Sequence, residues 1–433
     1  MSRIRLSFLL LLVAAALLAV ALVDGAVIRE DEAGNVFVNT TSPSQAVLVN
    51  GVDVNGLIAG LEQRIATLQT LVDVYLNRTG NGKGGFATTT TTTAAATTTI
   101  EPQCTPDQVM DTTTISGFEP GNTGLWSGGV LHPDTGIIFG IPYAASSVLA
   151  IDTTTDTADN TSMLVSSGDA KWYGGVLAQT GLIYGIPYSA ESVLIIDPLT
   201  QTVDETTITV SSNPDLEAKW VGGAMADDGR IFAIPLNADP ILIIDPSDNT
   251  TSEISGLLAG GSKWRTGALF TDGLIYAPPN DAQSVLVIDP SDDSYQTVSV
   301  SGSSGRAWSG AVVHNGFIYA MPFAAEGILR ISPDGASTET AFVGSSFDAN
   351  CCQYNGAAVS AFDGKLYAMP LHASGILVFD PNNSNDIDDT SLVPDGNGWS
   401  ATIAAPNGKL YGIPGSATSV LIIDPQQIAL CNM

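Results

Sequence analysis

The stretch KWYGGVLAQTGLIYGIPYSAESVLIIDP, Lys171 to Pro198, decides the fold because a near-copy precedes it: LWSGGVLHPDTGIIFGIPYAASSVLAID, Leu125 to Asp152. Working outward, the shared core G-x-[IL]-[FY]-x-x-P-x-x-A-x-x-[VI]-L begins at Gly136, Gly181, Gly229, Gly273, Gly316, Gly364 and Gly408. One aromatic residue stands upstream of each copy: Trp126, Trp172, Trp220, Trp264, Trp308, Tyr354 and Trp399. Downstream, Asp152, Asp197, Asp245, Asp289, Asp380 and Asp424 follow six copies, and Ser332 takes that place in the fifth. A period of about 45 residues belongs to four-stranded propeller blades, and no stretch within the unit carries the 3.6-residue period of a helical repeat.

Each unit reads as four short strands, in the second copy GGVLA, GLIYGIP, SVLIID and DETTITV, punctuated by Gly, Pro, Asp and Ser. The sequence therefore predicts an all-β, seven-bladed β-propeller over residues 104–433, whose closed ring leaves only short strand edges. The last copy supplies three strands, while QVMDTTTISGF ahead of Trp126 reads as a strand with no blade of its own. The N-terminal strand is thus expected to complete the last blade. Cys104 and Cys431 flank that seam, and Cys351 and Cys352 are adjacent. Four cysteines allow three pairings. Cys351 and Cys352 could form a strained vicinal disulfide or stay two thiols; the expected pairing is 104 with 431 and 351 with 352.

The Gly-Gly pairs and the single aromatic per blade resemble the kelch and quinoprotein-like propeller families over residues 108–431. The resemblance implies the architecture and no activity. Kelch units place a Tyr and a Trp after the Gly-Gly pair, whereas here the Trp precedes it. Quinoprotein dehydrogenases combine Trp-bearing blades with a vicinal cysteine pair like Cys351-Cys352, but no matching metal-ligand set is present, so no quinone cofactor is carried over. The unit is also similar to secreted propeller repeats of the YGIPYxAxSVLIIDP kind.

The N-terminus bounds the compartment. Arg3 and Arg5 precede an apolar run from Leu6 to Val23, with Gly25 and Ala26 after it. Residues 1–26 read as a cleaved signal peptide or, given the length of the run, an uncleaved signal anchor. Either places the rest of the chain in the secreted or cell-surface space, and the sequons at Asn39, Asn77, Asn160, Asn249 and Asn382 agree. Residues 27–79 form a neck. Within it Ile58, Ile65 and Val72, offset by Leu61, Leu68 and Tyr75, make an a/d seam over 54–76 that suits a homo-dimer or trimer. Residues 80–103, rich in Gly and Thr, lack the apolar side chains of a core and read as a linker.

Acidic residues outnumber basic ones 44 to 15, giving a net charge of −29. That argues against nucleic acid or anionic lipid as a partner. Strand order places the residue before each Trp and the P-x-x-A turn on one rim. This rim gathers Lys171, Lys219, Lys263, Arg265 and Arg306 with Tyr143, Tyr188, Asn237, Asn280, Phe323 and His372, a platform suited to an extracellular glycan or protein. The seven upstream aromatics, used identically in every unit, are expected to pack between blades. The Asp after each third strand reads as a turn-starter. NNSNDIDDTS at 382–391 clusters Asp386, Asp388 and Asp389 without the glycine and closing Glu of an EF-hand, so calcium is only weakly suggested and no metal is assigned. His132 and His314 fall on the acidic face, away from His372, and no catalytic residue set is expected. The sequence reads as a recognition or adhesion scaffold. Its alternatives are an extracellular propeller hydrolase or lyase and a structural cell-coat protein.

Overall fold

The computed structural model describes residues 109–119, 124–210, 216–257, 260–300, 307–332, 352–383 and 386–431, together with the backbone of four short strands nearer the N-terminus. The chain forms two compact units, residues 1–97 and 98–433. In the first, Val27–Glu30 pairs with Val36–Asn39 and Leu48–Val49 with Val52–Asp53. The signal segment, the heptad seam, Asn77, the linker, Arg306, Cys104 and Cys351 lie outside the described residues. Cys352 is disulfide-bonded.

The second unit is a seven-bladed β-propeller, each blade an antiparallel meander. Blade 1 runs Trp126–His132, Ile137–Pro142, Leu149–Asp152 and Thr157–Asp159. Blade 5 shows three strands among the described residues. Blade 7 contains Trp399–Ala404, Leu410–Pro414 and Leu421–Ile423, with Met110–Asp111 as its outer strand. Ile422 pairs with Asp111 and Ile423 with Met110, so the N-terminal strand closes the ring as expected. A short helix, Pro425–Cys431, follows, its first turn capped by Asp424.

The repeated residues have separable jobs. The innermost strand bulges just after its Trp in blades 1, 2, 3, 5 and 7. In blades 1, 2, 3 and 5 a glycine in the bulge adopts positive φ: Gly128, Gly174, Gly222 and Gly310. There the backbones of neighbouring blades nearly touch. A Cβ on Gly310 would lie 2.5 Å from the Gly356 Cα. The second glycine of the pair receives an isoleucine from the preceding blade. A Cβ on Gly175 would sit 2.8 Å from Ile141, and one on Gly129 would sit 2.9 Å from Ile413 across the closing seam. The Gly-Gly pair and the Ile-Pro dipeptide are thus two halves of one inter-blade contact.

The residue before each Trp ties the turns down. Its carbonyl accepts the amide of the repeated alanine: Ala145 on Leu125, Ala190 on Lys171, Ala238 on Lys219, Ala282 on Lys263, Ala325 on Ala307, Ala373 on Gln353 and Ala417 on Gly398. Each Trp is at most 2% exposed. Its indole N–H donates to a carbonyl just before the third strand of its own blade, from Trp126 to Ser147 at 2.8 Å through Trp399 to Ser419 at 2.8 Å. Tyr354 uses its hydroxyl for the same bond, to Gly375. Each bond is worth about 1–3 kcal/mol, because losing it strands a buried carbonyl. The apolar cores fill the seams between blades. One joins Trp126, Ile138 and Leu149 of blade 1 to Tyr411 and Ile413 of blade 7.

The fourth strand departs from expectation. DETTITV does not form it; Thr202–Asp204 does. The Asp204 carboxylate accepts the amides of Thr206 and Thr207 at 2.7 and 3.1 Å, which turns the chain out of the ladder. Pairing resumes only at the Ser192–Thr209 bridge. Asp111, Asp159 and Asp388 do the same in blades 7, 1 and 6. The Asp after the third strand starts a turn in the same way, as at Asp197 with Leu199 and Thr200.

Candidate ligand site at the channel mouth

Each repeated aromatic is buried between blades, and alternation sends the residue after it the other way, where Tyr173, Asn355 and Ser400 line the channel. These neighbours are Ser127, Tyr173, Val221, Arg265, Ser309, Asn355 and Ser400. Serine stands there in three blades and a different residue in each of the other four, and hydrogen bonds join several of them. The Arg265 Nη2 donates to the Tyr173 hydroxyl at 2.9 Å, and the Asn355 Nδ2 donates to the same oxygen at 2.7 Å. Asn355 is fixed in turn by the Ser309 hydroxyl at 2.8 Å and the Ser400 carbonyl at 2.7 Å. The Ser400 hydroxyl reaches the Trp126 carbonyl at 2.9 Å. Val221 packs with Ala218 and Leu236 against Tyr173 and Tyr188.

Two cavities meet at this belt. Below it, a channel of about 220 Å³ is lined largely by the bulge glycines. Above it, a mouth cavity of about 320 Å³ is lined by Tyr143, Tyr173, Asn355, His372, Ser127 and Ser400 among others, and no carboxylate is in that lining. Tyr143 meets Tyr173 and Tyr188 edge-on at 6.0 and 5.4 Å, and Tyr173 stacks on Tyr188 at 5.7 Å. The Arg265 guanidinium lies 4.4 Å from the Phe323 ring and 5.2 Å from the Tyr173 ring. Burial, then the neighbouring Tyr188, pushes the Tyr143 hydroxyl up from its ordinary value. Burial also raises Tyr188, against the pull of Arg265. Both stay protonated, as donors, throughout the neutral range.

Of the rim residues expected from the sequence, the structure gathers Tyr143, Tyr188, Arg265 and Phe323 in this cluster. His372 is exposed at the edge of the mouth cavity. The lysines differ from expectation: Lys171, Lys219 and Lys263 are at most 6% exposed. Their ammonium groups turn into the turns, where Lys171 donates to the carbonyls of Ala145 and Gly168, Lys219 to that of Ala190, and Lys263 to those of Ala238 and Gly260. Burial lowers all three from the usual lysine value. They clasp the P-x-x-A turn of the preceding blade and form no cationic rim.

Asn280 is also buried, donating to the Ser262 carbonyl at 3.0 Å. Asn237 spans the Glu217 carbonyl and the Ser262 amide. Asn237 and His372 follow the position held by Tyr143 and Tyr188 by one residue. Leu236 and Leu371 are the true equivalents. Tyr173, Asn355 and the serines of the belt escaped the sequence reading. Their signal is a variable residue immediately after an unvarying aromatic.

On the opposite face, Asp228 and Asp293 hold Arg230 at 2.7 and 2.8 Å, and Asp272 accepts the Tyr276 hydroxyl. Asp386 pairs with Lys365, and Asp388 caps Thr390. Among the described residues no three His, Cys, Asp or Glu side chains converge to hold a metal ion. The sequon asparagines Asn160, Asn249 and Asn382 are exposed. Among the described residues no helix is long and apolar enough to cross a membrane.

No protein-family model matches the chain, and no curated protein matches it. Solved structures do. Virginiamycin B lyase from Staphylococcus aureus is 13% identical over 73% of this chain and 98% of its own, with a TM-score of 0.59. The WD40 repeats of RRP9 are 10% identical over 73% and 97%, at 0.55. The extracellular domain of the two component system BT4673 from B. thetaiotaomicron is 11% identical over 73% and 40%, at 0.54. At such identities the likeness extends to the fold alone.

Proposed function

We propose that this propeller is a secreted or cell-surface recognition and adhesion scaffold that binds a glycan or protein in the mouth cavity. One observation carries the reading: four of the seven residues that follow the repeated aromatic, Ser127, Tyr173, Asn355 and Ser400, line one cavity together with Tyr143, while the repeated aromatics and alanines hold the blades together. Tyrosine faces stack on sugar C–H groups or peptide side chains, and hydroxyl, amide and imidazole groups supply directional hydrogen bonds. The cavity is at the lower end of the range for small-ligand pockets, roughly 300–1,000 Å³, and suits one or two sugar units. A neck that multimerises through residues 54–76 would add avidity to weak single sites. A lyase reading draws on fold likeness to virginiamycin B lyase and on no residue set in this chain.

The test is a glycan-array screen of the full chain, with calcium and with chelator. Signal concentrated in one glycan class, independent of calcium and lost in Tyr188→Ala, is the expected result. A blank array from folded protein would overturn the glycan half of the reading, and calcium-dependent binding would move the site to the acidic face.

A further inference from the structure

In a chain of net charge −29 cations are scarce, and among the described residues most are occupied. Arg230, Lys365 and Lys409 pair with carboxylates, and Lys171, Lys219 and Lys263 with carbonyls. Arg265 does neither. Among the described residues its one hydrogen bond goes to the Tyr173 hydroxyl, and its buried Nε has no acceptor. A partly buried guanidinium is costly unless compensated. The rings of Phe323 and Tyr173 supply part of that compensation. They leave the remaining N–H groups unused.

Tyr173 is in the complementary state. Its oxygen accepts from both Arg265 and Asn355, which fills its two acceptor sites, and its own O–H has no acceptor among the described residues. Asn355 is held on both sides, so the Tyr173 hydroxyl cannot swing away to find one. Tyr173 therefore brings an O–H without an acceptor to the lining of a cavity that has no carboxylate, and Arg265 stands directly behind it, bonded to the same oxygen.

We infer that this belt is an anion subsite, in which the Arg265 guanidinium and the Tyr173 hydroxyl take the carboxylate of an acidic saccharide, with the pyranose ring against Tyr143 and Tyr188. This deepens the recognition reading above and rests on it. An arginine fork matches a carboxylate in geometry as well as charge. A saccharide fits the rest of the cavity, because the tyrosine walls offer faces for C–H groups. Ser127, Asn355 and His372 border the space that sugar hydroxyls would fill. Local placement matters in so acidic a molecule, because a ligand carboxylate reaching this point meets a cation with no carboxylate partner among the described residues.

The experiment is calorimetric titration of the full chain with trigalacturonate, with its methyl ester and with triglutamate. The acid should bind about tenfold more tightly than the ester, the scale of one charge-assisted pair. In Arg265→Gln that ratio should fall to near one. Tyr173→Phe keeps the ring and should lower the ratio partway. Should Arg265→Gln misfold, Arg265→Lys, with charge but no fork, should give an intermediate ratio. Equal affinity for acid and ester would overturn the subsite while leaving recognition at the mouth intact. Binding of triglutamate with both saccharides silent would overturn the saccharide assignment. Silence of all three ligands would overturn the subsite, with the array deciding the broader reading separately.

Discussion

Two positions adjacent in sequence behave in opposite ways. The aromatic at Trp126, Trp172 and their equivalents is nearly unvarying, fully buried and bonded to its own blade. The residue after it is Ser, Tyr, Val, Arg, Ser, Asn and Ser in turn, and Ser127, Tyr173, Asn355 and Ser400 line the channel or its mouth. A strand's alternation sends the two side chains to different environments. The first position answers to blade packing, the same problem in every blade. The second, on the proposed function, answers to a ligand at the mouth, a problem posed once for the whole ring. On that reading constancy marks the seams and variation marks the site.

The largest effect that would break this comparison lies at the glycine bulge between the two regions. Gly310→Ala should cost about 3–5 kcal/mol, since positive φ costs roughly 1–2 kcal/mol and the new Cβ meets the Gly356 backbone. Gly408→Ala, at positive φ in open space, should cost only the first part. Urea denaturation of the two variants would measure the difference, and equal costs would mean that the seam can give.

Next comes Lys219→Ala, expected to cost about 2–4 kcal/mol through the lost buried stem and the orphaned Ala190 carbonyl. Its ligand affinity should be unchanged, unlike that of a rim lysine. Titration calorimetry alongside denaturation separates the two roles.

The blade interiors should also set the alkaline limit of the fold. Burial pushes Tyr354, Tyr367 and Tyr411 above the ordinary tyrosine value. Below about pH 10 they are neutral in both folded and unfolded chains and cost nothing. Above it the unfolded chain loses protons that the folded chain keeps, so stability falls by at most about 1.4 kcal/mol per pH unit for each. The opposite limit is gentler. Hydrogen bonds from threonines hold Asp204 at about 2, and Asp111 also lies at about 2. Their contribution is present above the ordinary Asp value near 4 and is lost as pH falls through 2. Denaturation across pH 2 to 12 should show a shallow acid shoulder and a steep alkaline drop.

The sequence carried the ring clearly because each seam is written seven times: the alanine and the proline recur in every copy, Trp in six, Ile-Pro in four and Gly-Gly in three, all at the same spacing. Closure by Met110–Asp111 was readable from a strand left over at one end and missing at the other. The site was less legible. Tyr173 and Asn355 touch across the channel but stand 182 residues apart, so no local pattern joins them. The lysines misled because a cation beside a Trp at a turn looks exposed, whereas carbonyls of the preceding blade's turn point inward to receive it. DETTITV misled because threonines favour strands, while the Asp204 carboxylate captures the backbone first.

The most direct measurement is stability and array binding on one matched pair, Trp172→Phe and Tyr173→Phe. The account predicts a crossing. Trp172→Phe loses its bond to the Ser192 carbonyl, drops in stability by about 1–3 kcal/mol and keeps the wild-type array pattern. Tyr173→Phe keeps most of its stability and loses or redistributes the array signal. The account would be contradicted if Tyr173→Phe fell in stability as far as its neighbour while the array pattern stayed the same.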